Sequence, residues 1–226
     1  MRKKWLAWAG YIIAFVSLLV NGWQFWQSKN PSTYFSVTDV VDGDTFAVPE
    51  YGRLRLANLE APELDLCGGQ EAKEFLTSLL QNKKVKLDIY DRDVYNRPVV
   101  YAYVNNTFVN EALLKNGWAV YVRGGGNEKI KDQLKTVYEQ AREQQVGIHG
   151  QCTQATSPKG QKCLIKGNVD VDDPKSKVYH FPGCSHFEAV TIELYRGDQW
   201  FCTEKEAQTA GFKKSAQCFD KKFPPK

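Results

Sequence analysis

With 226 residues, 42% of them hydrophobic and 25% charged, the chain has the make-up of a folded protein and room for one medium domain plus something smaller. A disordered chain is excluded by that composition. The formal charge of +4 is unevenly spread: residues 31–150 carry 14 Lys and Arg against 17 Asp and Glu, so this segment is no general polyanion sponge.

Residues 1–30 contain no acid. Arg2, Lys3 and Lys4 precede an apolar run from Trp5 to Val20, and Trp23 and Trp26 follow. A bilayer crossing needs roughly 20 residues, which Trp5 to Trp26 just supplies, with tryptophans at both ends as interfacial anchors. The charge before the run, against a lone Lys29 after it, predicts a cytoplasmic N-terminus with the remaining domains outside. The rival is a cleaved signal peptide, which would give a secreted form, but no clear Ala-x-Ala site is present. All six cysteines (Cys67, Cys152, Cys163, Cys184, Cys202 and Cys218) lie beyond this segment, and an even count in an exported region argues for disulfides.

After a short linker at 29–33, strands are predicted at 34–41, 45–48 and 53–59. The Asp42-Gly43-Asp44 turn and the alternation of Arg53, Leu54, Arg55 and Leu56 suggest adjacent antiparallel strands. That pairing brings the acids near Asp44 and those at Glu60 and Glu63 to one end of a sheet, with Arg55 beside them. Carboxylates able to hold a hard cation, next to a guanidinium able to grip phosphate, are the parts of a phosphodiesterase site. A helix follows at 70–80, its apolar stripe formed by Ala72, Phe75, Leu76, Leu79 and Leu80. Strands are predicted at 85–90 and 99–104, around a polar turn at 91–98. Asn110 is expected to cap a short helix ending at Gly117, and Asn127 a longer one before Gly147. Five short strands with interspersed helices fit a small twisted barrel, though the pattern alone does not distinguish a barrel from an open α+β sheet.

Residues 151–161 turn to Thr, Gln, Ser, Pro, Lys and Gly and read as a linker. Beyond it, 177–180, 189–194 and 199–201 are strand-like, and Thr203-Glu204-Lys205-Glu206 is a capping box opening a helix that runs to Gly211. Residues 162–226 thus form a small α/β module, of a size where disulfides are commonly needed. His180, Cys184, His186 and Cys202 have residue types that suit zinc, but their irregular spacing and the oxidising compartment favour disulfides. We suggest Cys67–Cys152, Cys163–Cys202 and Cys184–Cys218, one of the 15 connectivities that six cysteines allow.

Asp42-Gly43-Asp44-Thr45, Arg55-Leu56 five residues ahead of Glu60-Ala61-Pro62-Glu63, Tyr95-Asn96-Arg97 and Asn110-Glu111-Ala112-Leu113 occur in this order. In that order and spacing, residues 34–150 resemble the thermonuclease family of staphylococcal-nuclease-like domains. The resemblance implies an α+β fold, a five-stranded OB-fold barrel with three helices, and calcium-dependent hydrolysis of DNA or RNA phosphodiesters. It makes Asp44, Glu60 and the Ala61 carbonyl ligands of calcium, Glu63 the general base, and Arg55 and Arg97 the phosphate-gripping pair. Tyr95 falls beside the nucleotide. Tyr101, Tyr103 and Tyr121 have no such positional argument and read as wall or core residues. Glu60 stands where the family usually has Asp, and Ala61 where it has Thr, so a retuned calcium affinity is expected.

The partners implied are nucleic acid as substrate and the membrane through residues 5–26, with no small-molecule cofactor, and a monomer is expected. The alternative reading is a catalytically weak OB-fold module that binds nucleic acid or a protein at the cell surface. The tail's Cys163-Leu164-Ile165-Lys166-Gly167-Asn168 and Tyr179-His180-Phe181-Pro182-Gly183 resemble an extension on some exported thermonuclease-like proteins, without an activity to carry over.

Overall fold

The computed structural model describes residues 34–223 apart from 159, 161, 162, 172 and 174, together with Ser17. Ser17 aside, the anchor expected at 5–26 lies outside the described residues. No described helix is long and apolar enough to cross a membrane.

The first part of the chain runs β1 (Tyr34–Ser36), β2 (Asp39–Val40), β3 (Thr45–Val48), β4 (Gly52–Leu56), β5 (Leu59–Glu60), α1 (Gly69–Leu80), β6 (Lys84–Arg92), β7 (Pro98–Val104), β8 (Thr107–Phe108), α2 (Val109–Lys115), β9 (Val120–Tyr121), α3 (Glu128–Glu143) and α4 (Ile148–Gln151). Seven strands form one sheet in the order β1-β6-β7-β4-β3-β2, with β8 on β7, while β5 and β9 make a separate ribbon. The two ends of the order, β1 and β2, are separated in the chain only by Val37 and Thr38. One bent strand therefore lends its first half to β6 and its second to β3, and the sheet closes on itself.

Five strands were expected here, and the count needs correcting. The strand expected at 34–41 is split at Val37–Thr38. The one at 53–59 breaks at Asn58, whose φ of 56° is left-handed, so β5 turns out of the sheet to pair with β9. The barrel interior and the three helices share one core, including Phe46, Leu54, Leu56, Leu76, Val100, Leu113 and Leu134. In α1 the fully buried Ala72, Leu76 and Leu80 recur at a spacing of four, the stripe expected from sequence. Asn127 caps α3 as expected, its Oδ1 accepting from the amides of Lys129 (3.0 Å) and Ile130 (3.3 Å).

Asn110 does not cap. Helix α2 begins at Val109 with Phe108 at the N-cap position, and Asn110 points into the core with no exposed surface. Its Oδ1 accepts from the Ala102 amide (3.0 Å), and its Nδ2 donates to the carbonyls of Ala57 (3.0 Å) and Val100 (3.2 Å).

The remainder runs β10 (Thr153–Gln154), β11 (Ile165–Val169), β12 (Lys177–His180), β13 (Ile192–Glu193), β14 (Gln199–Phe201), α5 (Glu204–Thr209) and β15 (Lys213–Lys214). A sheet in the order β14-β11-β12-β15 covers a second core of Ile165, Tyr179, Phe181, Phe187, Phe201 and Phe212. The strand expected at 189–194 shrinks to Ile192–Glu193, because Phe187–Ala189 winds into a 3₁₀ turn. Thr203 caps α5 through Oγ1, accepting from the Glu206 amide at 3.1 Å. The Glu206 carboxylate reaches back to the Cys202 amide at 2.9 Å.

All six cysteines are paired, Cys67–Cys152, Cys163–Cys202 and Cys184–Cys218, as suggested from sequence. Zinc at Cys184 and Cys202 is thereby excluded, since neither sulfur is a free thiolate.

The tail is docked on the barrel. Strand β10 pairs with β13, the Leu194 amide donates to the Cys152 carbonyl at 2.9 Å, and Tyr195 packs with Val120, Ile148 and Cys152. His149 sits edge-on to both Tyr138 (5.4 Å) and Tyr195 (6.0 Å), and burial pushes its pKa down.

Candidate active site

The site grows from a tight turn. The Val41 amide donates to the Thr45 carbonyl (2.9 Å), and the Asp44 amide donates to Asp42 Oδ1 (3.0 Å), so the two aspartates share one bend. Antiparallel β3 and β4 place Thr45 opposite Arg55. The alternation suggested adjacent antiparallel strands, and the structure supplies their register.

Asp44 is only 4% exposed and ties three segments together. Its Oδ1 accepts from Arg55 Nη1 (3.1 Å) and from its neighbour Thr45 Oγ1 (2.9 Å), and its Oδ2 accepts from the Ala61 amide (3.1 Å). Turn, β4 and the 59–63 segment are thus locked to one carboxylate. Burial pushes the Asp44 pKa up to about 6, Arg55 opposes this, and the charge of Asp42 adds to it.

Gly43 makes the arrangement possible. A Cβ there would lie 2.5 Å from the Ala61 Cβ and 2.6 Å from the Ala72 Cβ, so the turn rests directly on the 59–63 segment and on α1. Gly43→Ala is therefore expected to lower the unfolding free energy by about 1–3 kcal/mol, read by urea denaturation.

Glu60 and Glu63 follow on the same segment and are exposed. The carbonyl of Glu63 accepts from the Leu66 amide (2.9 Å) as the chain turns into α1. Gly69 opens that helix because any Cβ would fall 2.0 Å from the Glu63 carbonyl oxygen.

Arg97 and Tyr95 occupy the turn between β6 and β7. Parallel pairing sets Val99 beside Arg55, so Arg97 stands two residues ahead of Arg55's neighbour. Arg97 Nε donates to Asp93 Oδ2 at 2.7 Å, and the same carboxylate accepts the Arg97 and Tyr95 amides, each at 2.9 Å. The guanidinium lies 5.4 Å from the Tyr95 ring centre, and Tyr95 itself is 78% exposed.

The structure joins Asp44, Arg55 and Ala61 by direct hydrogen bonds. Tyr95 and Arg97 form a second group around Asp93. Sequence reasoning gave no role to Asp42 or Asp93, although Asp93 precedes Arg97 by four residues and could have been read as its partner. The two arginines share a design: an aspartate pins one N–H of each, and the rest of the fork remains for another anion.

The expected calcium set was Asp44, Glu60 and the Ala61 carbonyl. The Ala61 contact to Asp44 runs through the amide, and among the described residues no group of three or more His, Cys, Asp or Glu side chains is gathered for a metal. The donor chemistry nonetheless fits a hard divalent cation. Two carboxylates, Asp42 and Asp44, share one turn, and carboxylate and carbonyl oxygens are the donors such a cation takes; burial first, and then the charge of Asp42, raises the Asp44 pKa.

Residues 53–151 match the family model described as "Staphylococcal nuclease homologue". This segment is similar to staphylococcal-nuclease-type domains. The match includes Arg55, Glu60, Glu63 and Arg97 and stops at Gln151, ahead of the tail. A "Probable staphylococcal-like nuclease" of Oryza sativa subsp. japonica is 42% identical over 67 residues, 30% of this chain and 18% of that protein. A "Thermonuclease" of Staphylococcus hyicus is 28% identical over 153 aligned positions, covering 58% of this chain and 90% of that protein. An "Uncharacterized endonuclease" of Haemophilus influenzae is 32% identical over 87 residues, 37% of this chain and 49% of that protein. The chain spans about a fifth of the length of the first of these relatives.

The matched segment does not border solvent alone at Glu63. A cleft of about 330 Å³ lies between its 60–66 segment, which includes Glu60 and Glu63, and residues of the tail.

Proposed function

We propose that this protein is an endonuclease that hydrolyses nucleic-acid phosphodiester bonds with the aid of calcium, outside the cytoplasm. The observation that carries this reading is Asp44. One buried carboxylate ties the acidic turn, Arg55 and the segment bearing Glu63 into a single unit; Arg55 and Glu63 fall within the residues that the family match covers, and Asp44 lies just ahead of them.

Glu63 orients the attacking water and accepts its proton. Arg55 and Arg97 donate to the phosphate oxygens and stabilise the charge that develops on them; each is held by an aspartate, so little is lost in positioning it. Tyr95 stands beside the nucleotide. Asp44 is a positioning residue and, with Glu60 and the Ala61 carbonyl, would hold calcium. The bound cation would add charge neutralisation at the phosphate. Residues 5–26 anchor the protein in the membrane with its N-terminus in the cytoplasm, and three disulfides suit the oxidising side.

The test follows acid-soluble nucleotide released from single-stranded DNA by the full-length chain in mild detergent, with calcium, magnesium or chelator. Cleavage in calcium and none in chelator is expected, with weaker activity in magnesium, whose stricter octahedral demand suits Glu60 less well. Retained calcium-dependent binding without cleavage would overturn the enzyme reading in favour of a binding module.

A further inference from the structure

We propose that Lys177 and Arg196, both in the tail, position the nucleic-acid backbone as it passes Glu63; this rests on the nuclease reading above. The family match ends before the tail. The tail forms one wall of the cleft that borders Glu63. Glu60, Glu63 and Asp65 line one side, and Asp170, Lys177 and Arg196 line the other.

Charge decides what this cleft needs. Four carboxylates border it, and its lining includes two cations, both from the tail. A polyanion drawn along the acidic wall would be repelled unless positive charge faced it. Arg55 and Arg97 do not line this cleft, and they are already assigned to the reacting phosphate. Phosphates further along the strand must find other partners, and Lys177 and Arg196 are placed to be those partners.

Arg196 is held firmly enough for the task. Its Nε donates to Glu193 Oε2 at 2.6 Å, and its guanidinium lies 5.3 Å from the Tyr195 ring centre. The surrounding loop is pinned by buried Asp198, which accepts from the amides of Glu193 (3.0 Å) and Val169 (2.8 Å) and from Asn168 Nδ2 (2.9 Å). Glu193 pairs with Thr153, and the next residue bonds to Cys152, whose disulfide partner Cys67 directly follows the acidic wall at Leu66. Both walls are therefore braced to one covalent link. Lys177 opens β12 opposite Val169, which also lines the cleft.

An alternative account makes Arg196 a structural partner of Glu193 and Lys177 one of Phe212, its ammonium lying 5.6 Å from that ring's centre. Salt dependence separates the two. The full-length chain in mild detergent would be assayed on a fluorescent single-stranded DNA in calcium over a range of salt. Wild type would be compared with Lys177→Gln/Arg196→Gln, with Lys177→Gln alone, and with the charge-retaining pair Lys177→Arg/Arg196→Lys. Each phosphate contact on a single strand contributes about 0.7 to the slope of log affinity against log salt. The neutral double variant is expected to flatten the slope of log KM by about 1.4 and Lys177→Gln by about 0.7. KM should rise about tenfold at low salt while kcat moves far less, and the charge-retaining pair should restore the slope.

A wild-type slope and KM in Lys177→Gln and in a folded double variant would overturn the proposal and leave the nuclease reading intact. If the wild type cleaves nothing, the nuclease reading falls, and fluorescence anisotropy on the same DNA decides the matter. A salt slope of binding that depends on these two residues would support their placement, and an unchanged slope would overturn it.

Discussion

Replacing Glu63 by glutamine is expected to slow cleavage of single-stranded DNA by about 10²–10⁴-fold, the range for loss of a positioned general base. Glutamine keeps the size and most of the hydrogen-bonding reach of the side chain but cannot take a proton from water. The surrounding structure gives this change little scope to act by unfolding. Glu63 is exposed, its backbone carbonyl bonds to the Leu66 amide, and its segment is fixed two residues earlier by the Ala61 amide on Asp44. Single-turnover cleavage by the full-length protein in saturating calcium isolates the chemical step. A variant that keeps a third or more of the wild-type rate would remove Glu63 from the role of base. Glu60→Gln is the companion measurement: it should raise the calcium concentration needed for half-maximal rate, because one carboxylate fewer is available to a hard cation.

Much of this site was legible because its chemistry is local in sequence. The alternation through Arg53, Leu54, Arg55 and Leu56 predicts the strand that sets Arg55 against Thr45, and the Asp-Gly-Asp turn predicts the bend that presents Asp44. Caps were legible for the same reason at Asn127 and Thr203, where donor and acceptor lie within three residues. Asn58 was not, since a left-handed residue inside an apolar run carries no periodicity of its own, and it is what ends β4 and releases β5. The direction of the Ala61 contact was also hidden. Every residue but proline offers both an amide and a carbonyl, and only the fold decides which of them faces Asp44.

The cleft was illegible on different grounds. Its walls are the 60–66 segment with Val120 and residues from Val169 onward, and no local pattern links an acid-rich turn to a 3₁₀ turn so far along the chain. Cysteine counting came nearest to finding it. The Cys67–Cys152 pair joins the acidic wall to the residue from which the tail is hung, and its loop spans a sequence separation of 85.

Asn110→Ala is expected to cost about 3–5 kcal/mol of stability, because it leaves two buried backbone groups without this partner at once. The sequence reading assigned Asn110 to a helix end, where loss of a cap typically costs about 1 kcal/mol. In the fold its role is larger. The parallel register of β4 and β7 runs through Arg55–Val99 and Leu56–Val100, after which Asn58 carries the chain out of the sheet. Beyond that point the Asn110 side chain takes over from the ladder, donating to the Ala57 and Val100 carbonyls and accepting from the Ala102 amide. The Val100 carbonyl keeps a second partner in the Ala57 amide at 2.9 Å, so the groups most exposed to loss are the Ala57 carbonyl and the Ala102 amide. Leucine at this position would fill the space yet satisfy neither group, so Asn110→Leu should recover little of what Asn110→Ala loses. Urea unfolding with the disulfides intact reads both variants. If Asn110→Leu matches wild type, packing rather than hydrogen bonding holds this junction. If both variants fall by several kcal/mol, the amide is what fastens α2 to the end of β4, the strand that carries Arg55 to Asp44.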